Sequence, residues 1–293
     1  MNQFALLLVI TSTFMHAGWN LITRHRRTGA ALLIYRAHVL VAVMGVVPAV
    51  VAELLSTPLP VKAYACVVGS GLFCALYYFG LAHGYGSADF TVVYPVVRAL
   101  PVLLVGVCDI LRGRFPTSAG WAGMALVSAG CFLVPRRSFR EFSLRSYLHE
   151  SSLWMLLAAL GTVGYTMLDK VASEVVAQGP LTAARYGYLF FVTSFVFFAV
   201  LLRLFKVGST DGEDIGWRFP LWCALLNFGA YWLVLWAYQL AQRASYIVAF
   251  RQFSIVIGVV AAFALFKERG VLVRMTAVLL ITVGLIVIGV WGR

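Results

Sequence analysis

Apolar stretches of about 17–25 residues recur along this chain, each long enough to cross a hydrocarbon layer as a helix, with short polar runs between them. The pattern predicts ten spans, over residues 4–22, 30–52, 62–84, 88–109, 118–135, 151–170, 181–203, 218–239, 245–266 and 272–291. The longest polar insert runs from Arg136 to Glu150, where Arg136, Arg137, Arg140 and Arg145 interleave with Phe139, Phe142 and Tyr147. That composition suits a basic segment lying on a membrane surface. It divides the chain into a first half (1–135), a connector (136–150) and a second half (151–293).

The halves resemble each other. Gly18-Trp19-Asn20-Leu21 in the first span aligns with Gly164-Tyr165-Thr166-Met167 in the sixth, and each is followed by a polar residue and a base, Thr23-Arg24 and Asp169-Lys170. Leu81-Ala82-His83-Gly84 leading to Ser87-Ala88-Asp89-Phe90 matches Ala237-Tyr238-Gln239-Leu240 leading to Arg243-Ala244-Ser245-Tyr246 at the same spacing. The fifth and tenth spans share a late glycine, Gly130 and Gly284. Five spans per half is an odd number, so the second half enters the membrane upside down. The expected fold class is an all-α membrane protein, ten transmembrane helices arranged as two inverted five-helix repeats around a central cavity.

Composition agrees with a membrane protein. Of 293 residues, 62% are hydrophobic and 12% charged, against about 45–50% and about 25% in soluble domains, which excludes a water-soluble fold. Basic residues outnumber acidic ones, 23 to 11, but they gather in short loops, where membrane orientation is the usual cause. No nucleic-acid partner is expected. The five cysteines (Cys66, Cys74, Cys108, Cys131, Cys223) never fall at metal or redox spacing and read as small core residues, so no metal or cofactor is expected. The first span follows no basic segment and precedes no clear cleavage site, and reads as a retained helix.

Four arginines fall inside spans: Arg36, Arg98, Arg185 and Arg251. Arg98 is the deepest, at a cost of about 2.5–3.5 kcal/mol on insertion scales, so it must face protein, water or a ligand. Pro95 and Pro101 flank it, each removes a backbone donor, and together they predict a broken fourth helix. Each half supplies one arginine from each of two equivalent spans, so a pseudo-twofold axis brings all four towards one cavity. There they would repel unless an anion or internal carboxylates compensated them. Arg36 and Arg185 also lie within snorkelling range of the headgroups, which leaves a membrane anchor open for both. The planar guanidinium suits carboxylate, phosphate or phosphonate.

A polar stripe on the first span (Ser12, His16, Asn20, Thr23) has a counterpart on the sixth (Thr162, Thr166, Asp169). His16 and Asp169 are the candidate proton-coupling groups, although His16 could equally bond a neighbouring helix and Asp169 could be surface-exposed. Asp109 and Glu268 read as interfacial. Tyr94, Asn227 and Tyr231 complete the candidate substrate-binding set with Arg98, His16, Asn20, Arg251, Arg36 and Arg185. No pair of deep carboxylates supports cation export. No nucleophile–base pair or acid-rich metal motif supports an enzyme.

The span pattern, the duplication, His16-Ala17-Gly18-Trp19-Asn20 and Phe266-Lys267-Glu268 together resemble the EamA family of the drug/metabolite transporter superfamily. Leu111-Arg112-Gly113-Arg114 stands where that family usually has an acidic residue. The resemblance implies efflux or uptake of small metabolites through a central cavity, without ATP. The expected protein is a secondary transporter working by alternating access in a bacterial inner membrane, as a monomer or homodimer. The cationic candidates favour an anionic or zwitterionic substrate; multidrug export or lipid flipping are the alternatives. Basic residues, among them Arg24, Arg26, Arg27 and those of the insert, concentrate opposite the amino terminus, which places both termini outside the cytoplasm. The family would lead one to expect them inside.

Overall fold

The computed structural model describes residues 2–25, 30–87, 90–136, 138, 151–205, 216–266 and 271–292. Most of the basic connector and the Lys267-Glu268 pair lie outside the described residues. Eleven helices follow in chain order: α1 (Gln3–His25), α2 (Ala30–Leu55), α3 (Val61–Ser87), α4 (Phe90–Leu111), α5 (Ser118–Leu133), α6 (Ser151–Ser173), α7 (Pro180–Leu204), α8 (Arg218–Leu240), α9 (Ala244–Arg251), α10 (Phe253–Phe266) and α11 (Val271–Trp291). Among the described residues there is no strand.

Among the described residues eight spans, counting α9 with the start of α10 as one, are long and apolar enough to cross a membrane. Hydrocarbon offers no partner to backbone N–H and C=O, so an apolar run there must close its bonds within a helix. The outer faces carry bare apolar side chains such as Leu54, Leu55, Val61 and Leu111. In α2 only 11% of the apolar window is buried within the protein, against 72% for the α9–α10 span. The first meets lipid; the second runs through the middle of the bundle.

Close contacts run through small residues. A Cβ on Gly80 of α3 would lie 2.7 Å from the Trp154 carbonyl oxygen of α6, and one on Gly161 of α6 would lie 2.7 Å from the Phe73 carbonyl oxygen of α3. Backbones that approach this closely gain dispersion contacts where lipid offers no hydrophobic drive. α3 also packs on α7, α8 on α1 and α2, α4 on α5, α6 and α9, α1 on α9 and α10, and α5 on α11.

The helix break falls in the other half from the one the prolines indicate. α4 is helical from Phe90 to Leu111 through both Pro95 and Pro101. The Ala99 carbonyl of α4 also accepts a hydrogen bond from the Ser128 hydroxyl of α5 (3.2 Å), which ties this segment to its neighbour. The span over 245–266 is instead interrupted at Gln252, between α9 and α10, with neither proline nor glycine at the break. Side chains seal it: Gln252 Nε2 donates to the Val248 carbonyl (3.1 Å) and Ser254 Oγ to the Arg251 carbonyl (2.9 Å).

Candidate functional site

The break puts Arg251 and Gln252 on the wall of a cavity deep in the bundle. The unfilled space there is about 610 Å³, including what opens to solvent. α1 contributes His16 and Trp19; α3 Cys74, Tyr77 and Tyr78; α4 Val97, Arg98 and Pro101; α6 Thr162 and Tyr165; α7 Phe190 and Phe191; α8 Asn227 and Tyr231; α9 Val248. Five of the residues that stand out in the sequence therefore meet at one place: His16, Arg98, Asn227, Tyr231 and Arg251. Tyr94 lies outside the residues whose side chains are described.

Three other candidates are elsewhere. Arg185 is buried in the first turns of α7, and its guanidinium is bound to Glu53 and to the Thr57 carbonyl (3.0 Å). A carboxylate within reach compensates its charge, so it does not join a cluster of four. Arg36 donates to the Gly216 carbonyl (2.9 Å) and stacks 5.1 Å from the Trp217 ring, an anchoring arrangement near a helix end. Asn20 turns its amide back onto the His16 carbonyl of its own helix (2.7 Å).

Aromatic rings frame the space. Tyr231 stacks on Phe190 at 4.6 Å and meets Tyr165 edge-on at 5.8 Å, while Asn227 donates to the Tyr78 hydroxyl at 2.9 Å. The Arg251 guanidinium lies 5.5 Å from the centre of the Tyr231 ring, close enough for a cation–π attraction. Such contacts hold a cation in place without neutralising it. Among the described residues no carboxylate lines the cavity.

Among the described residues, one carboxylate stands a layer behind the wall. Asp169 is buried rather than surface-exposed, and it accepts from Ser70 Oγ (2.5 Å), Tyr186 OH (2.8 Å) and the Tyr231 hydroxyl. Tyr231 thus touches the cavity with its ring and Asp169 with its hydroxyl. The adjacent Lys170 points away, to the Tyr238 carbonyl (2.9 Å) and Glu174 (3.2 Å).

His16 is 5% exposed and its geometry selects one tautomer. Trp19 Nε1, which can only donate, bonds to His16 Nδ1 at 2.9 Å, so Nδ1 is the acceptor and the neutral ring carries its proton on Nε2. That Nε2 has no hydrogen-bond partner among the described residues, and neither does Gln252 Oε1. Adding a proton to Nδ1 would set two N–H groups head-on, which disfavours the coupling role assigned to His16.

One end of the bundle is tied across the two halves of the chain. Asp109, expected at the interface, is fully buried, and its carboxylate caps α9 by accepting from the Ser245 (2.8 Å) and Ala244 (3.3 Å) amides. Arg112 pairs with Glu174 at 2.7 Å, and Arg243 donates to the Phe115 (2.9 Å) and Gly292 (3.3 Å) carbonyls. Burial, the largest influence on Glu174, raises its carboxyl, but Arg112 and Lys170 together outweigh it and hold the group below its ordinary 4.5.

Some lining residues carried no assignment from the sequence. Trp19 and Tyr165 fall in the aligned quartets and Thr162 in the polar stripe, so the repeat register held their signal. Gln252 had only its place beside Arg251.

No family model and no curated protein matches the chain. Among 27 matching chains of solved structures, one crystal structure of a protein superposes over 100% of this chain and 99% of its own, with a TM-score of 0.75 and 18% sequence identity. At that identity the likeness shows the fold alone.

Proposed function

We propose that the chain is a secondary transporter of the EamA type, built from two inverted five-helix repeats, and that small organic anions or zwitterions cross through the cavity. The observation that carries this is the pairing of Arg98 and Arg251, from equivalent segments of the two halves, on one aromatic-framed space that no described carboxylate lines. The planar guanidinium fork suits carboxylate, phosphate or phosphonate, and two of them on one wall favour a negatively charged solute.

Packing supports the repeat. A Cβ on Gly130 of α5 would lie 2.7 Å from the Ala277 carbonyl oxygen of α11, and one on Gly284 of α11 would lie 2.6 Å from the Gly123 carbonyl oxygen of α5. Exchanging the halves at the Gly130/Gly284 register turns one contact into the other, and the order of the residues makes the two counterparts antiparallel. Gly18 of α1 packs on Leu226 of α8 and Gly164 of α6 on Phe73 of α3, so the helix pairs α1–α8 and α6–α3 exchange as well. Residues at equal register, His16 with Thr162 and Trp19 with Tyr165, line the same cavity. α4 and the short α5 bring the eight long apolar spans to ten. An upside-down repeat is what lets one site face either side of a membrane by rocking one half against the other. On this reading nothing is transformed chemically, and the partners are a small-molecule substrate and the bilayer of a bacterial inner membrane.

Counterflow into proteoliposomes tests it. Small carboxylates and phosphonates should drive uptake by the wild type, and Arg98→Gln and Arg251→Gln should each lower the rate at least tenfold. Uptake at the wild-type rate by both variants, or uptake confined to lipophilic amines, would overturn the reading.

A further inference from the structure

Two side chains that line the cavity each carry a buried polar atom unpartnered among the described residues, and the two atoms are of opposite kind. His16 Nε2 bears a hydrogen, because Trp19 holds Nδ1 as an acceptor at 2.9 Å. Gln252 Oε1 is an acceptor, because the amide's NH2 must face the Val248 carbonyl at 3.1 Å and leaves the oxygen turned away from it. Both side chains are more than nine-tenths buried, 5% and 4% exposed, and both line the space that Arg98 and Arg251 line. A buried donor and a buried acceptor left unpaired are each costly, so their natural complement is a bound molecule.

Resting on the carrier reading of this cavity, we propose that it selects an organic anion with a neutral hydrogen-bond donor beside its acid group, and that His16 and Gln252 make the selection. Hydroxy acids are the simplest such class. The acid group meets the guanidiniums. The hydroxyl oxygen accepts from His16 Nε2–H and its hydrogen goes to Gln252 Oε1, one group satisfying both orphans. A plain carboxylate leaves Oε1 desolvated and unpaired. An amino acid supplies a donor, but its ammonium then sits near two guanidiniums where no described carboxylate lines the wall.

Mandelate, phenylacetate and phenylglycine share a ring and a carboxylate and differ in one substituent: hydroxyl, hydrogen or ammonium. Their affinities for the full chain in lipid nanodiscs at neutral pH, measured by calorimetry, test the proposal. Mandelate should bind roughly tenfold tighter than phenylacetate, the usual size of an unmet buried hydrogen bond, and phenylglycine no better than phenylacetate. Gln252→Met should bring the mandelate-to-phenylacetate ratio close to one. Equal wild-type affinities for mandelate and phenylacetate, a preference for phenylglycine, or a ratio unchanged in Gln252→Met would each overturn the selection while leaving an anion carrier standing. Failure of all three to bind would overturn the selection, and the counterflow of small carboxylates and phosphonates then decides the carrier reading separately. Because the first comparison uses wild-type protein, the test holds even if Gln252→Met does not fold.

Discussion

Arginines of one kind do different work here according to what lies within reach of the guanidinium. Arg185 has Glu53 and the Thr57 carbonyl, and Arg36 has the Gly216 carbonyl and the Trp217 face. Arg251 lies over a neutral ring on a cavity wall. Arg185→Gln should therefore lower thermal stability in detergent while leaving anion affinity within about twofold, because it breaks a hydrogen-bonded ion pair outside the cavity. An affinity loss as large as that of Arg251→Gln would mean that Arg185 reaches the ligand after all. For His16 the expected outcome is spectroscopic. Nitrogen-15 shifts of the labelled imidazole should report Nδ1 bare and Nε2 protonated, and Trp19→Phe should release a mixture of tautomers. A dominant Nδ1–H form in the wild type would remove the donor on which the selection of hydroxy acids depends.

Helices here approach one another through glycine, and the contacts rank which glycines matter. Gly123 and Gly284 of α5 and α11 face each other with no room for a methyl group, each 2.6 Å from the other's carbonyl oxygen once a Cβ is added. Gly284→Ala must push two backbones apart and should destabilise by about 1–3 kcal/mol. Gly258, in α10, has nothing within 4 Å of its Cβ position, so Gly258→Ala should be neutral or stabilising by up to about 1 kcal/mol through helix propensity alone. Unfolding in mixed micelles checks both; a cost at Gly258 equal to that at Gly284 would contradict the packing. The break between α9 and α10 belongs with these contacts. It interrupts the helix in the middle of the bundle, away from lipid, and it brings Arg251 and Gln252 to the cavity wall.

Across the bundle, the end where α4, α6, α8 and α11 finish is cross-linked between halves by Asp109 with α9 and by Arg112 with Glu174. On the carrier reading, alternating access requires such a set to part and re-form. Because the Glu174 carboxyl is held below its ordinary 4.5, its contribution is fully present above that value and is lost as pH falls through the lowered one. Acidification from pH 6 to about pH 3.5 should therefore cost the wild type more thermal stability than Glu174→Gln, in which the titrating group is absent. Parallel losses in the two proteins would show that the ion pair adds nothing to this end of the molecule.

The membrane class and nearly every described span boundary were legible in the residues alone, because hydropathy and helical period are local properties that each segment carries by itself. Arg98, His16, Asn227, Tyr231 and Arg251 could be singled out for the same reason: a polar group in an apolar run is conspicuous before it is placed. Whether such a group finds a partner is not local. Glu53 lies 132 positions from Arg185, and Ser70 lies 99 from Asp169. Those distances along the chain separated the structural cations from the cavity cations and buried an acid that its place near a helix end had left open to solvent. The helix break was hidden for a related reason. α4 stays helical through Pro95 and Pro101, while the Arg251-Gln252-Phe253 backbone departs from helix where its own side chains take up the carbonyls of Val248 and Arg251.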